Sequence, residues 1–138
     1  MKEYKSIKEN LFYTKDHEWI DFQRTTAYLG VSAFKLIGFR EIQQVIFSSQ
    51  SGVKNKGDLI AIIKYKDYHI EVNMPVDGKL LRLNTDLIFG EQNLLLQDNG
   101  NSCWIAQIIP SQPDERKDLL LPMQYQRNTE ITNVKITS

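Results

Sequence analysis

The sequence has no excess of charge of either sign. Its 138 residues include 17 Lys or Arg and 17 Asp or Glu, so the formal net charge at pH 7 is zero. Proteins that are dedicated to binding nucleic acid normally carry a basic excess or a basic stripe. The balanced charge argues against such a role, and we expect no nucleic acid among the partners.

Cysteine and long apolar runs are also scarce. Cys103 is the only cysteine, so no intramolecular disulfide can form. Residues 1–10 are polar and lysine-rich and lack the apolar stretch of a secretory signal. No apolar run approaches the ~18 residues that a membrane helix needs. We therefore expect a cytoplasmic protein in a reducing compartment, without a membrane partner.

The familiar patterns of catalytic and metal sites are missing. The sequence has no glycine-rich phosphate loop, and its spacing reveals no nucleophile–base–acid set. His17 and His69 have no second cluster of ligands, so we expect no metal site. Cys103 has neither an adjacent basic residue nor a redox partner, which favours a small residue at a strand start over a reactive thiol. The sequence predicts a non-catalytic protein, although a catalytic cluster formed only in three dimensions stays an alternative.

Short β-prone segments separated by turns make up most of the chain. A length of 138 residues suits one domain with its own hydrophobic core. The predicted strands cover residues 25–31, 41–47, 59–65, 68–74, 79–84 and 104–110. Many short strands with frequent turns are typical of a sandwich or a flattened barrel, so we expect a mainly β fold.

Two segments carry helix signals. Ser32 is a plausible N-cap and Gly38 a plausible stop, which predicts a short helix near residues 32–38. Pro113 is followed by acidic residues and then by leucines, which predicts a C-terminal helix near residues 113–121 that Pro122 ends. We divide the chain into a lead-in (1–11), a folded domain (12–125) and a flexible polar tail (126–138).

One tight hairpin stands out. Residues 59–65 are strongly β-prone, and residues 68–74 alternate with a period of two, which places His69 and Glu71 on one face. Only Lys66 and Asp67 separate the two segments. The sequence therefore predicts a hairpin with Lys66 and Asp67 at its tip.

Several motifs, taken in order, resemble the glycine cleavage system H protein family. The resemblance covers roughly residues 12–125 and depends on the order and spacing of motifs more than on any one of them. The motifs are Tyr13-Thr14-x-x-His17-Glu18-Trp19, Leu29-Gly30-Val31-Ser32 with Phe34 and Gly38, Gly52 to Gly57, Pro75-Val76-Asp77-Gly78 with Asn84, and Trp104 with Pro110-Ser111.

The resemblance implies a lipoyl-type flattened barrel, the barrel-sandwich hybrid, with lipoate on a lysine at a hairpin tip. In that family the lipoyl arm accepts an aminomethyl group from the glycine-decarboxylating enzyme and presents it to the aminomethyltransferase. A dihydrolipoamide dehydrogenase then reoxidises the arm, and a lipoate ligase attaches it. The protein contributes presentation and recognition, and the attached cofactor carries the chemistry.

The sequence departs from the family at the modified lysine itself. That lysine precedes the proline of the Pro-x-x-Gly turn by eight residues, a position that is Asp67 here. Two interpretations stay open. In the first, a small shift in the alignment with the family makes Lys66 the lipoyl lysine. In the second, the domain is a degenerate, non-lipoylated binding or regulatory module. Lys64 is a weaker attachment candidate, and it replaces the acidic residue usual in the family. The expected recognition residues at the tip are Tyr65, Asp67 and Tyr68.

Overall fold

The described residues form two antiparallel sheets. The computed structural model describes residues 11–48, 51–100 and 103–127. Within them the strands are β1 (Leu11–Tyr13), β2 (Glu18–Gln23), β3 (Thr26–Val31), β4 (Gln44–Phe47), β5 (Gly52–Lys54), β6 (Leu59–Tyr65), β7 (Tyr68–Asn73), β8 (Gly78–Leu83) and β9 (Ala106–Pro110).

The two sheets differ in size. The larger has six strands in the order β1-β2-β3-β9-β8-β5, and the smaller has three in the order β4-β6-β7. The predicted mainly β sandwich is thereby confirmed. The small sheet contains the predicted hairpin, with β6 as its central strand and β4 and β7 as its edges.

Apolar side chains from both sheets form one core. Ile20 and Leu29 of the larger sheet are fully buried, as are Ile60 and Ile63 of the smaller one. On β9, the alternate residues Ala106, Ile108 and Pro110 are buried, which is the period-two pattern of a strand with one face on the core. Burial of these two inner faces holds the sheets together.

A glycine makes room for the largest buried side chain. Trp19 on β2 lies opposite Gly30 on β3 and is completely buried. A Cβ atom at position 30 would overlap the Trp19 indole ring. Gly30 is therefore required by close packing, since glycine alone leaves that space.

The predicted helix near residues 32–38 is present as a single short turn. It is a 3-10 helix, Ala33–Leu36, and it follows Ser32 as expected. The Ser32 side chain makes no capping bond, because its hydroxyl lies 2.6 Å from that of Tyr125. Two further 3-10 helices, Thr85–Leu87 and Gln92–Gly100, lie between β8 and β9.

The C-terminal helix is present, but its predicted position is wrong. Residues 113–121 form turns and a single β-bridge, and the helix, α1, spans residues 122–127. Pro122 begins this helix instead of ending one, as suits a residue without an N–H at the first helical position. The Leu121 N–H donates to Gln124 Oε1 at 2.9 Å, which is half of a capping box.

The predicted lead-in and tail fall mostly on residues 1–10 and 128–138, which lie outside the described residues. The division of the chain at residues 11 and 125 stays a prediction.

Candidate functional site

The β6–β7 hairpin ends in a two-residue turn at the predicted place. Tyr65 pairs with Tyr68, and Lys66 and Asp67 form the tip between them. Lys66 has a φ of 54°, and Asp67 is not among the residues with positive φ. A positive φ is typical of two-residue hairpin turns, whose twist matches that of the flanking strands.

The side chains at the tip point in different directions. Lys64, Lys66, Asp67 and Tyr68 are exposed, and Tyr68 is 64% exposed. Tyr65 is buried, and its ring lies 6.0 Å from that of Phe39. The tip therefore presents two lysines, an aspartate and one tyrosine to a partner, whereas Tyr65 anchors the hairpin to the domain.

The two lysine amines at the tip differ from the paired lysines of the domain. In the described part of the chain, the ion pairs join Lys35 to Glu18 and Lys56 to Asp118, so neither Lys64 nor Lys66 belongs to one. The Lys66 ammonium lies 5.3 Å from the centroid of the Tyr65 ring, within the range of a cation–π contact. That contact is weak at an exposed position, so the amine stays accessible.

Gln43, which sequence reasoning missed, contacts the backbone of the hairpin twice, once in β6 and once at the tip. Its N–H donates to the Lys64 carbonyl at 2.9 Å, and its side-chain Oε1 accepts the Lys66 N–H at 2.8 Å. Gln43 lies just before β4, where Gln44 pairs with Lys64. A single polar residue in a loop gives no sequence signal of such a role.

Glu18 anchors the opposite end of the hairpin. Its carboxylate is almost fully buried and accepts hydrogen bonds from Thr14 Oγ1 at 2.7 Å and from the Asn73 N–H at 3.1 Å. The Lys35 ammonium lies 3.0 Å from the same carboxylate. Because Asn73 ends β7, Glu18 joins the large sheet and the 3-10 helix to the base of the hairpin.

His17 belongs to an aromatic cluster that holds α1. Its Nδ1 lies 2.8 Å from the Tyr125 hydroxyl, and its ring lies 4.5 Å from that of Phe34. Tyr125 stacks on Tyr13 at 4.2 Å. Burial, with the nearby Lys35 charge, lowers the pKa of His17, whereas Asp16 opposes this shift. These contacts give His17 a structural role, because they hold α1 against the start of the domain.

Neither a reactive thiol nor a metal centre is found in the described ranges. Cys103 is buried, and burial together with the Asp86 charge raises the pKa of its thiol to about 12. A thiol with that pKa is protonated at neutral pH, which agrees with the expected unreactive residue. Among the described residues, no three His, Cys, Asp or Glu side chains are grouped to hold a metal ion. None of the described helices is long and apolar enough to cross a membrane.

A two-sheet domain with an exposed hairpin lysine is the arrangement that the sequence motifs implied. A family model described as "Glycine cleavage H-protein" matches residues 11–132, which is most of the chain. The chain belongs to this family. The family is one of carrier proteins, and membership supports a carrier role in glycine cleavage for this chain.

Individual relatives agree with this assignment. A probable glycine cleavage system H protein of Thermococcus gammatolerans is 32% identical over 130 residues, covering 93% of this chain and 95% of the relative. A glycine cleavage system H protein of Clostridium botulinum (strain Okra / Type B1) is 30% identical over 128 residues, covering 90% and 94%.

A solved structure shows the same fold. The glycine cleavage system H protein of Mycobacterium marinum superposes with a TM-score of 0.74, covering 90% of this chain and 99% of that chain, at 18% identity. The lipoyl-type fold expected from the motifs is therefore confirmed for this chain.

Proposed function

We propose that this H-protein carries an aminomethyl group on a lipoyl arm attached to Lys66, and moves it between the enzymes of glycine cleavage. The observation that supports the attachment site is the position of Lys66. It is an exposed residue of the two-residue turn that joins β6 and β7 of the small sheet. A lysine at such a tip can enter the active site of a modifying enzyme without unfolding of the hairpin.

The residues at the tip fit a covalently attached acyl group. The Lys66 amine, once deprotonated, can attack the carboxyl carbon of a lipoyl adenylate, forming the amide and releasing AMP and the amine proton. Asp67 cannot form this bond, because a carboxylate is not a nucleophilic amine. When attached, the lipoyl group supplies a dithiolane that exchanges the aminomethyl group and electrons with partner enzymes.

Lys64 is a poorer candidate on geometric grounds. It lies within β6 and pairs with both Gln44 on β4 and His69 on β7. Its backbone is therefore fixed in the middle strand of the small sheet, two residues before the turn. Lys66 lies beyond the ladder, so less of the domain surrounds its amine and a partner can approach it more closely.

The proposed partners are those of the family role: the glycine-decarboxylating enzyme, the aminomethyltransferase, dihydrolipoamide dehydrogenase and a lipoate ligase, all in the cytoplasm. The protein itself supplies no acid, base or nucleophile to the cleavage reactions. A single arm that visits several active sites benefits from the high effective concentration that tethering provides.

Intact mass after incubation with lipoate, ATP and a lipoate ligase tests the attachment. We expect one lipoyl adduct, and peptide mapping should assign it to Lys66. Lys66→Arg should remain at the unmodified mass, whereas the matched variant Lys64→Arg should be modified like the wild type. An unmodified wild-type chain, under conditions that fully modify a standard H-protein, would contradict the proposal.

A second candidate function is a binding or regulatory module without lipoate. Asp67 supports it, because this residue occupies the position of the modified lysine in the family. If the wild type is not modified, this second candidate stands, and Asp67→Lys shows how much of the attachment site has been lost. Modification of this variant would show that only the tip lysine has been lost, and its failure would show that other features read by the ligase are lost as well.

A further inference from the structure

The turn at Lys66 contains a backbone donor that the hairpin itself does not use. In a two-residue hairpin turn, the hydrogen bonds of the ladder join the residues on either side, here Tyr65 and Tyr68. The N–H of the first central residue points away from that pair. In this structure the donor is satisfied from outside the hairpin, by Gln43 Oε1 at 2.8 Å.

Gln43 contacts the hairpin at two points that bracket Tyr65. The Gln43 N–H donates to the Lys64 carbonyl at 2.9 Å, while the Gln43 side chain accepts from Lys66. The first bond continues the β4–β6 ladder by one residue beyond Gln44, and it fixes the backbone of Gln43 itself. Because the Gln43 backbone is fixed, the hydrogen bond from its side chain can hold the Lys66 N–H in one position.

The direction of the Lys66 side chain depends on the peptide group that Gln43 holds. The Cα–Cβ bond of Lys66 is oriented by the plane of the Tyr65–Lys66 peptide together with φ, which is 54° here. A lysine adopts this left-handed region reluctantly. Without an external partner, we expect the tip to exchange between turn conformations that point the amine in different directions.

We propose that Gln43 is a positioning residue for attachment at Lys66, because it holds the turn in the one conformation that presents the amine. This inference rests on the function proposed above and deepens it. The proposed attachment position is shifted by one residue from that of the family, so the direction in which the turn presents its lysine matters for recognition by the ligase. In the described part of the chain, Gln43 reaches the backbone of this turn from outside the hairpin.

The test compares Gln43→Ala, Gln43→Glu and the neighbouring control Gln44→Ala. Gln44 is exposed and lies on β4, so its truncation leaves the tip contacts in place. Ligase kinetics with lipoate and ATP should show a kcat/KM for Gln43→Ala that is lower by about fivefold, the factor that corresponds to one neutral hydrogen bond. The loss should appear as a higher KM with an unchanged kcat, because the ligase itself fixes the tip of the hairpin once it has bound.

Two further readouts separate positioning from a general loss of structure. The Lys66 amide should exchange with solvent about fivefold faster in Gln43→Ala, for the same loss of one bond, while core amides such as that of Ile63 keep their protection. Gln43→Glu retains an acceptor oxygen and should restore both the amide protection and the KM. Gln44→Ala should match the wild type in both measurements.

The outcomes separate a failure of the positioning role of Gln43 from a failure of the proposed attachment at Lys66. Equal KM values and equal Lys66 amide exchange in wild type and Gln43→Ala would overturn the positioning role, as would a failure of Gln43→Glu to rescue either. A wild-type chain that stays at its unmodified mass overturns the proposed function instead. The amide-exchange comparison alone then decides whether Gln43 orders the turn.

Discussion

Removal of the Glu18 carboxylate should destabilise the fold and loosen the base of the β6–β7 hairpin. This buried group accepts hydrogen bonds from the Thr14 hydroxyl and the Asn73 N–H, and it pairs with Lys35. Glu18→Ala leaves all three donors without their acceptor. Breaking one side of a buried, hydrogen-bonded ion pair costs about 3–5 kcal/mol of the free energy of unfolding.

The exposure of Lys35 places the expected loss at the lower end of that range. Its side chain is 14% exposed, so the ammonium can turn towards water once Glu18 is removed. The Asn73 N–H is held in the backbone of β7 and has no such freedom, and because Asn73 is half-buried, its lost hydrogen bond costs about 1 kcal/mol, the low end of the range for an unsatisfied donor. We therefore expect about 3 kcal/mol for Glu18→Ala, and a smaller loss for Glu18→Gln, which keeps one acceptor oxygen.

Urea unfolding followed by tryptophan fluorescence measures this loss. The Asn73 amide should also lose protection from hydrogen exchange in Glu18→Ala. A double-mutant cycle with Lys35→Met isolates the ion pair from the two other hydrogen bonds. A destabilisation below about 1 kcal/mol, the level of an exposed salt bridge, would refute the view that Glu18 anchors the hairpin.

Three further predictions concern single positions. Gly30→Ala should lower the free energy of unfolding by about 1–3 kcal/mol or more, because the new methyl group overlaps the Trp19 ring; urea unfolding checks this. His17 has a lowered pKa in the fold, so its contribution to stability should be present above the unfolded-state pKa of 6.5 and should fall as the pH drops below it. His17→Asn should reduce this loss between pH 7.5 and pH 5 in urea titrations. Cys103 should react with a thiol reagent at neutral pH only after unfolding, since its pKa is about 12.

The hairpin and the overall class of fold could be predicted because their signals are local. The alternation in residues 68–74 and the two-residue gap at Lys66 and Asp67 specify a strand and a turn from neighbouring residues alone. The predicted strand at 41–47 was too long at its start, since β4 begins at Gln44. The polar residues just before β4 show no periodic pattern that would mark where the strand begins.

The C-terminal helix shows why other features could not be predicted. Pro113 and Pro122 both begin a segment with plausible helix signals, and only tertiary contacts decide between them. In the structure, Leu120 forms a β-bridge with Tyr13, which keeps the preceding segment extended, and Tyr125 packs on Tyr13 and His17. These contacts join residues more than one hundred positions apart, so no pattern within either segment reveals them.

The candidate site depends on the same kind of distant contact. The sequence identifies the tip of the hairpin, but the two residues that fix it, Gln43 and Glu18, come from other elements. Gln43 holds the peptide group at Lys66, and Glu18 holds the last residue of β7, Asn73. A hairpin fixed at both ends loses little conformational entropy when a partner binds it. In the proposed carrier function, mobility would then reside in the lipoyl arm alone, and Lys66 could serve several enzymes without a change in the domain.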